Sequence, residues 1–170
     1  PHEIEQAKAV REEELRIMRH VDVVLSYSTV EHAIIRSHNS DRTPVVVAPW
    51  VVDIIDNTPG FAQRKDIAFL GGFGHPPNLQ AVRYFIDEVM PLVRDQMPGI
   101  CFRIFGSSVP DELRSMAQDD IVVEGYVSDP EEVYNHCRVF VAPLISGAGI
   151  KGKVVDCLAH GTPAVLSPIA

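Results

Sequence analysis

The sequence lacks several features that would assign it at once to a functional class. No apolar run is long enough to span a membrane, and the charged opening, residues 1–20, is unlike a signal peptide. The net charge of −8 leaves no basic stripe, which argues against a nucleic-acid surface. No Asp-x-Asp pair lies in a predicted loop where it could hold magnesium, so we expect neither a metal nor a cofactor.

Cysteine is also scarce, and its placement is informative. Cys101, Cys137 and Cys157 stand in apolar surroundings without a Cys-x-x-Cys pair, which suggests neither a zinc site nor a disulfide framework. We interpret them as reduced core residues and expect a cytoplasmic location, or a peripheral position at the inner face of the membrane. The 170 residues, 46% hydrophobic and 22% charged, are typical of an ordinary globular protein with a sizeable core.

The first part of the chain predicts two helices and two strands. A helical period covers residues 3–19, apolar strands are expected at 21–25 and 45–48, and Ser28 or Thr29 can cap a short helix through Ile35. The turn residues around Pro59 and Gly60 mark a linker. We therefore divide the chain into residues 1–56, a linker at 57–65, and a second domain at 66–170.

The second domain alternates short apolar strands with helices. The strands are expected at 67–70, 101–105, 121–123, 139–142 and 164–166, with helices at about 77–94 and 111–117, from Asp129 and after Gly149. Such alternation predicts an α/β fold, a doubly wound parallel sheet of the Rossmann-like type. Pro91 is expected to kink or divide the first of these helices.

Ligands of such sheets bind at the carboxyl ends of the strands, and the suggestive loops all fall there. The richest, residues 144–151, leads into a helix and contains glycines that can turn backbone N–H groups outward, with Lys151 and Lys153 adding positive charge. This pattern predicts an anion site, although a glycine-rich turn with solvated lysines is the plainer alternative. The other loops are 71–75, 106–108 and 124–127.

Two nucleotide-binding fingerprints fit this loop poorly. Residues 147–152 match G-x-G-x-x-G, but they belong to the fourth strand–helix unit and lack the acidic residue expected about twenty positions later. A Walker loop fails because Val154 follows Lys153 where serine or threonine should bind magnesium. Asp156 could accept hydrogen bonds from two ribose hydroxyls or be a surface aspartate, and His75 could donate to a ligand or face solvent.

From about residue 66 to residue 170 the chain resembles the C-terminal domain of group 1 glycosyltransferases, which are retaining enzymes of GT-B fold. The shared segments are 69–72 with 77–82, 102–106, 123–127, and 147–154 with Asp156, Gly161 and Pro163. Residues 1–56 resemble the tail of the N-terminal, acceptor-side domain. The second domain would be truncated at its C-terminus.

The resemblance implies a nucleoside-diphosphate sugar as donor, transferred with retention to a hydroxyl of a carbohydrate or glycoconjugate acceptor. Lys151 would meet the diphosphate and sugar as the catalytic residue, Tyr126 and Val127 would bracket the base, and Asp156 would hold the ribose. The complete set of implied donor-binding residues is Gly71, Gly72, His75, Gly106, Tyr126, Val127, Gly147, Ala148, Gly149, Ile150, Lys153 and Asp156.

The sequence departs from the family at two places. Ala148 stands where many members have a second glutamate, and residues 73–76 replace a loop that usually contains arginine and lysine. Because catalysis in this fold requires closure of two domains, we expect little or no transfer by this chain alone. A nucleotide-sugar epimerase of the same fold and a catalytically silent nucleotide-binding domain remain alternatives.

Overall fold

A computed structural model describes residues 2–39 and 43–170, with side chains from residue 4 onward. The chain forms two compact units, Pro1–Val51 and Val52–Ala170. The boundary lies a few residues before the predicted one, and the predicted linker at 57–65 belongs to the second unit. No helix in the described residues is both long enough and apolar enough to cross a membrane.

The first unit contains two helices and a pair of short parallel strands. Its elements are α1 (His2–Met18), β1 (Val24–Ser26), α2 (Thr29–Asn39) and β2 (Val45–Val47), and β1 pairs with β2. The Ser28 hydroxyl accepts a hydrogen bond from the Glu31 N–H at 3.1 Å, which confirms the predicted cap. The helix α2 extends beyond the predicted end at Ile35 because nothing in the next turn breaks it.

A five-stranded parallel sheet forms the centre of the second unit. The strand order is β5-β4-β3-β6-β7, which confirms the predicted doubly wound α/β fold. Strand bounds agree with the sequence prediction to within two residues. They are β3 (Lys65–Leu70), β4 (Phe102–Phe105), β5 (Ile121–Gly125), β6 (Cys137–Ala142) and β7 (Ala164–Leu166).

The helix predicted at residues 77–94 is divided, as Pro91 indicated. Helix α3 (Pro76–Tyr84) passes through a π-helical turn, Phe85–Val89, into α4 (Met90–Gln96), where Pro91 occupies the first turn. The proline lacks an N–H, so a helix start is the place where it does least harm. The remaining helices are α5 (Asp111–Ser115), α6 (Pro130–His136) and α7 (Gly152–Ala159). A 3₁₀ turn, Phe61–Gln63, lies just before β3.

Two apolar clusters cover the two faces of the sheet. One includes Phe69, Phe102 and Ile104 and packs against α3 and α4. The other includes Phe140, Cys137 and Cys157 and packs against α6 and α7. Burial raises the pKa of the Cys137 thiol to about 11 and that of Cys157 to about 12, so both remain protonated core residues. Cys101 is only half-buried.

Arg64 fixes the predicted linker to the sheet domain. The side chain is 1% exposed, and its guanidinium donates to the carbonyl oxygens of Pro59, Tyr134 and His160 at 2.8 Å each and to the Thr162 hydroxyl. These acceptors belong to the turn before β3 and to the ends of α6 and α7. Because removing the arginine would leave several buried acceptors unbonded, residues 57–65 are part of the folded domain rather than a free connector.

Candidate functional site

The strand order places a crevice between β3 and β6. From β3 the chain proceeds to β4 and β5 on one side, and β6 and β7 lie on the other. The loops after β3 and β6 therefore leave the sheet in opposite directions at the edge where ligands of such folds bind. We call residues 71–75 the first glycine loop and residues 147–152 the second glycine loop.

The first glycine loop is held tightly by its neighbours. The Gly71 N–H donates to Phe105 O at 3.0 Å, and the Phe73 N–H donates to Ser107 O at 2.9 Å. The Gly106 N–H in turn donates to Gly125 O at 2.7 Å. A Cβ at Gly106 would overlap the Gly71 carbonyl oxygen, so this buried glycine permits close contact between backbones. The structure thus supplies a packing reason for Gly106, which sequence reasoning placed in the donor site.

Asn78, in the first turn of α3, is the site residue that sequence reasoning missed. Its Nδ2 donates to Gly72 O at 2.8 Å, and its Oδ1 accepts from Lys153 Nζ at 2.7 Å. A Cβ at Gly71 would lie 2.8 Å from Asn78 Cγ, so the glycine makes room for this amide. The helical spacing offered a signal, because Asn78 precedes buried Ala81 and Val82 by three and four residues and therefore shares their face.

The second glycine loop is exposed and held mainly by its own lysine. Gly147 has φ of 131° and Gly149 has φ of 74°, and Ala148 and Ile150 are also exposed. Lys151 Nζ donates to the carbonyl oxygens of Ala148 and Gly149, each at 2.7 Å. The ammonium of the predicted catalytic residue thus braces the loop from which it comes.

Lys153 points from α7 into the crevice. Its Nζ lies 4.3 Å from the centre of the Phe69 ring, over the ring face. Burial, and secondly the charge of Lys151, lower the pKa of Lys153 to about 8. An ammonium that has lost part of its hydration gains more from an anionic ligand than an exposed one would.

The remaining predicted residues lie farther from this cluster. Asp156 is half-buried on α7. The pKa of Tyr134 is raised mainly by the burial of its own side chain and secondly by the charge of Asp156. His75 caps α3 through its extended backbone without a hydrogen bond from its side chain. Tyr126 is 76% exposed, whereas Val127 packs against the cluster of Phe140. Among the described residues no hydrogen bond joins Tyr126 or Val127 to Lys153.

The structure therefore brings together Gly71, Gly72 and Lys153 through Asn78, at the crevice predicted from the loops. A separate cavity of about 510 Å³ lies at another part of the sheet and shares only Val127 with the predicted residues. Its lining includes the ion-paired side chains of Asp66, Arg103 and Glu124. Within the described part of the chain, no group of three or more His, Cys, Asp or Glu residues could hold a metal ion.

The family described as glycosyl transferases group 1 matches residues 64–170, more than half of the chain. The chain belongs to the group 1 glycosyltransferases. The match begins at Arg64, the residue that holds the predicted linker to the sheet domain, and it includes both glycine loops. The resemblance seen in the sequence is thereby confirmed for the family, while retention of configuration stays a prediction.

The chain is also similar to one curated protein and to several solved structures. A Klebsiella pneumoniae protein called "Uncharacterized 44.6 kDa protein in cps region" is 26% identical in an alignment of length 102 that covers 55% of this chain and 26% of that protein. A TarM mutant from S. aureus, in complex with Fondaparinux, alpha-GlcNAc-glycerol and UDP, matches with a TM-score of 0.77 and 18% identity over 94% of this chain and 32% of its own.

Two further structures share the fold. The pneumococcal O-GlcNAc transferase GtfA, in complex with UDP and GlcNAc, has a TM-score of 0.69 and 14% identity over 88% of this chain and 31% of its own. HepE from Anabaena, in complex with UDP and glucose, has a TM-score of 0.68 and 13% identity over 92% of this chain and 48% of its own. The chain therefore spans from about a quarter to about half of these proteins, and its fold is that of a Rossmann-like part of GT-B enzymes.

Proposed function

We propose that this chain is the nucleotide-sugar-binding part of a glycosyltransferase that transfers a sugar, with retention, from a nucleoside diphosphate to a hydroxyl of a carbohydrate or glycoconjugate. The observation that supports it most is the partly buried Lys153 ammonium, held by Asn78 beside the first glycine loop and the start of α7. A desolvated cation next to a helix N-terminus and glycine backbone suits a diphosphate.

In this proposal the two lysines have different roles. Lys153 binds the diphosphate in the ground state, because its ammonium already lies in the crevice and keeps hydrogen-bond donors for a ligand. Lys151 is the proposed catalytic residue: it releases its loop carbonyls and meets the charge that develops on the departing diphosphate. The second glycine loop adjusts around the donor, which its residues Gly147, Ala148, Gly149 and Ile150 are proposed to contact.

The outer parts of the donor are assigned to residues along the same sheet edge. Asp156 is proposed to hold the ribose hydroxyls, and Tyr126 and Val127 to contact the base, with His75 near the phosphates. Residues 1–56 are proposed to be the tail of an acceptor-side domain, and the protein to act in the cytoplasm. Because the chain spans about a third of TarM and GtfA, we expect little or no sugar transfer by these residues alone.

Uracil is the first base to test. TarM, GtfA and HepE were each solved with UDP, and the last two were solved with a free sugar as well. These proteins share the fold of this chain at low identity, so they favour UDP as a probe and leave the sugar open.

The test is thermal unfolding of the chain with UDP, GDP, ADP and dTDP. A ligand at about 100 times its Kd adds roughly 2.7 kcal/mol of stability, which raises Tm by several degrees. Lys153→Met and Asp156→Asn are expected to lose most of the shift. Lys65→Met, which changes an exposed lysine at the amino end of β3, is expected to keep it. No shift with any diphosphate would contradict the proposal.

A further inference from the structure

Asn78 has a buried side chain whose polar groups are all directed at specific partners. It is 8% exposed and lies on the face of α3 that packs on the sheet. A buried amide is costly unless it is hydrogen-bonded, and here both its oxygen and its nitrogen have partners. The two partners come from different elements, Gly72 from the first glycine loop and Lys153 from the first turn of α7.

The partners also fix the orientation of the amide. An ammonium only donates hydrogen bonds and a carbonyl only accepts them, so Oδ1 must face Lys153 and Nδ2 must face Gly72. The flipped amide would place donor against donor and acceptor against acceptor. The bridge from Gly72 through Asn78 to Lys153 therefore has a single hydrogen-bonded arrangement.

The surroundings make Lys153 dependent on this bridge. Phe69 of β3 presents a ring face to Nζ, and Asn78 of α3 presents a neutral amide. The charged group that acts on Lys153 is Lys151, at the start of the same helix, and it repels. Within residues 2–39 and 43–170, Asn78 Oδ1 is the one hydrogen-bond acceptor that Nζ contacts, which leaves two of its three N–H groups for a ligand.

We propose that Asn78 is a positioning residue of the anion site, which aims the Lys153 ammonium with Oδ1 and fixes the Gly72 carbonyl with Nδ2, so that β3 and α7 present one preformed site. This inference rests on the proposed function, in which the anion is the diphosphate of the donor. It assigns to α3, which brings no charged side chain to this bridge, the alignment of the first glycine loop with α7.

The chemistry requires an amide at this position rather than merely a side chain of its size. A carboxylate would pair with Lys153, compete with the incoming phosphate and face the Gly72 carbonyl without a donor. An apolar side chain would leave the ammonium without an acceptor. Both changes keep the branched shape of the side chain at residue 78, yet they act on the protonation of Lys153 in opposite directions.

The experiment uses the whole chain with Asn78→Asp and Asn78→Leu. The pKa of Lys153 is followed by the pH dependence of its acetylation by acetic anhydride, read by mass spectrometry without nucleotide. Affinity for UDP is measured by calorimetry. We expect the pKa of Lys153 to rise in Asn78→Asp and to fall in Asn78→Leu, and each variant to weaken UDP binding about tenfold.

Gln80→Leu is the matched control. Gln80 is exposed on the same helix and its Oε1 accepts from Ser146 Oγ at 2.7 Å, so this change breaks another bond between α3 and the segment after β6 without reaching Lys153. We expect it to leave the pKa of Lys153 unchanged. If Asn78→Leu does not fold, Asn78→Asp decides the question, because the bridge requires a higher pKa there.

The outcomes separate this inference from the proposed function. No change in the pKa of Lys153, or a change in the same direction in both variants, would overturn the positioning role. If the two variants change the pKa in opposite directions but the wild-type chain binds none of the four nucleoside diphosphates, the positioning role is retained and the proposed function is overturned instead.

Discussion

The two glycine loops of the crevice use the same residue type for different physical reasons. In the first loop, Gly71 leaves room for the Asn78 amide and contacts Gly106, and hydrogen bonds tie the loop to the segments after β4. In the second loop, Gly147 and Gly149 are exposed and have positive φ, and Lys151 holds the segment. Glycine therefore serves packing in the first loop and backbone conformation in the second.

The same comparison explains the lysines. Lys151 satisfies carbonyl groups of its own loop, so its charge contributes to the shape of the second glycine loop. Lys153 reaches across to the side of the first loop, where Asn78 and Phe69 hold it. The rigid first loop thus supplies the fixed part of the site, and the second loop supplies the part that can adjust to a ligand.

The largest expected effect is on the free energy of unfolding, when alanine replaces a glycine that serves packing or a glycine that serves backbone conformation. At Gly106, the new Cβ would overlap the Gly71 carbonyl, so Gly106→Ala is expected to cost more than about 4 kcal/mol. At Gly147, the new Cβ would meet only Lys151 atoms at 3.6 Å and 3.7 Å, so Gly147→Ala is expected to cost about 1 kcal/mol from its positive φ. Urea unfolding measures both.

Gly125→Ala serves as the control for backbone conformation. Gly125 has φ of 82° and no atom within 4 Å of its would-be Cβ. A loss of stability as large as that of Gly106→Ala would show that conformation, and not the contact with Gly71, is what Gly106 provides. Equal losses in Gly106→Ala and Gly147→Ala would remove the distinction between a glycine that packs against the first glycine loop and a glycine that sets the backbone of the second.

The fold was largely predictable because its signals are local. Apolar runs of strand length separated by helical periods predict the sheet, and Pro91 marks the division of a helix. The gathering of the candidate loops at one edge was predictable for the same reason, since loops after parallel strands share one edge. The roles of the individual donor-binding residues stay predictions.

What the sequence does not reveal is the set of contacts made across the chain. Asn78 and Lys153 are separated by 75 positions, and Arg64 contacts Thr162 across 98 positions. The pattern placed Asn78 correctly in a helix but gave it no partner, and arginine in a turn-rich segment is typical of linkers, so local patterns did not reveal the contacts of either residue. Their roles depend on tertiary packing, which overrides such preferences.

The second prediction separates binding from stability at Lys153. Lys153→Met removes a charge whose pKa is lowered to about 8 by burial and, secondly, by Lys151, a shift that corresponds to about 3 kcal/mol in total, but it leaves Asn78 Oδ1 without its donor. We expect a net gain of about 1 kcal/mol, or roughly 2–4 °C in Tm, and a ten- to hundredfold loss of UDP affinity. Calorimetry of unfolding and of binding measures the two effects.

Lys151→Met is the contrasting change in the second glycine loop. It removes the bonds to Ala148 and Gly149, so we expect weaker UDP binding without any gain in Tm. A Lys153→Met chain that is less stable than the wild type would show that the ammonium stabilises the fold through Asn78 and Phe69 more than its desolvation costs. Lys153 would then be a structural residue.

The smallest expected effect is a dependence of UDP affinity on pH that only one of the two lysines produces. Because the pKa of Lys153 is about 8 and the ammonium is the form that binds an anion, affinity should fall as pH rises and the free chain loses that proton. From the protonated fraction we expect roughly a fourfold fall between about pH 7 and about pH 8.5. Lys153→Arg, which stays charged over this range, should have a flat profile, whereas Lys151→Arg should retain the fall. A fall of the same size in Lys153→Arg would assign the titration to a different group and detach the pH dependence from the bridge at Asn78.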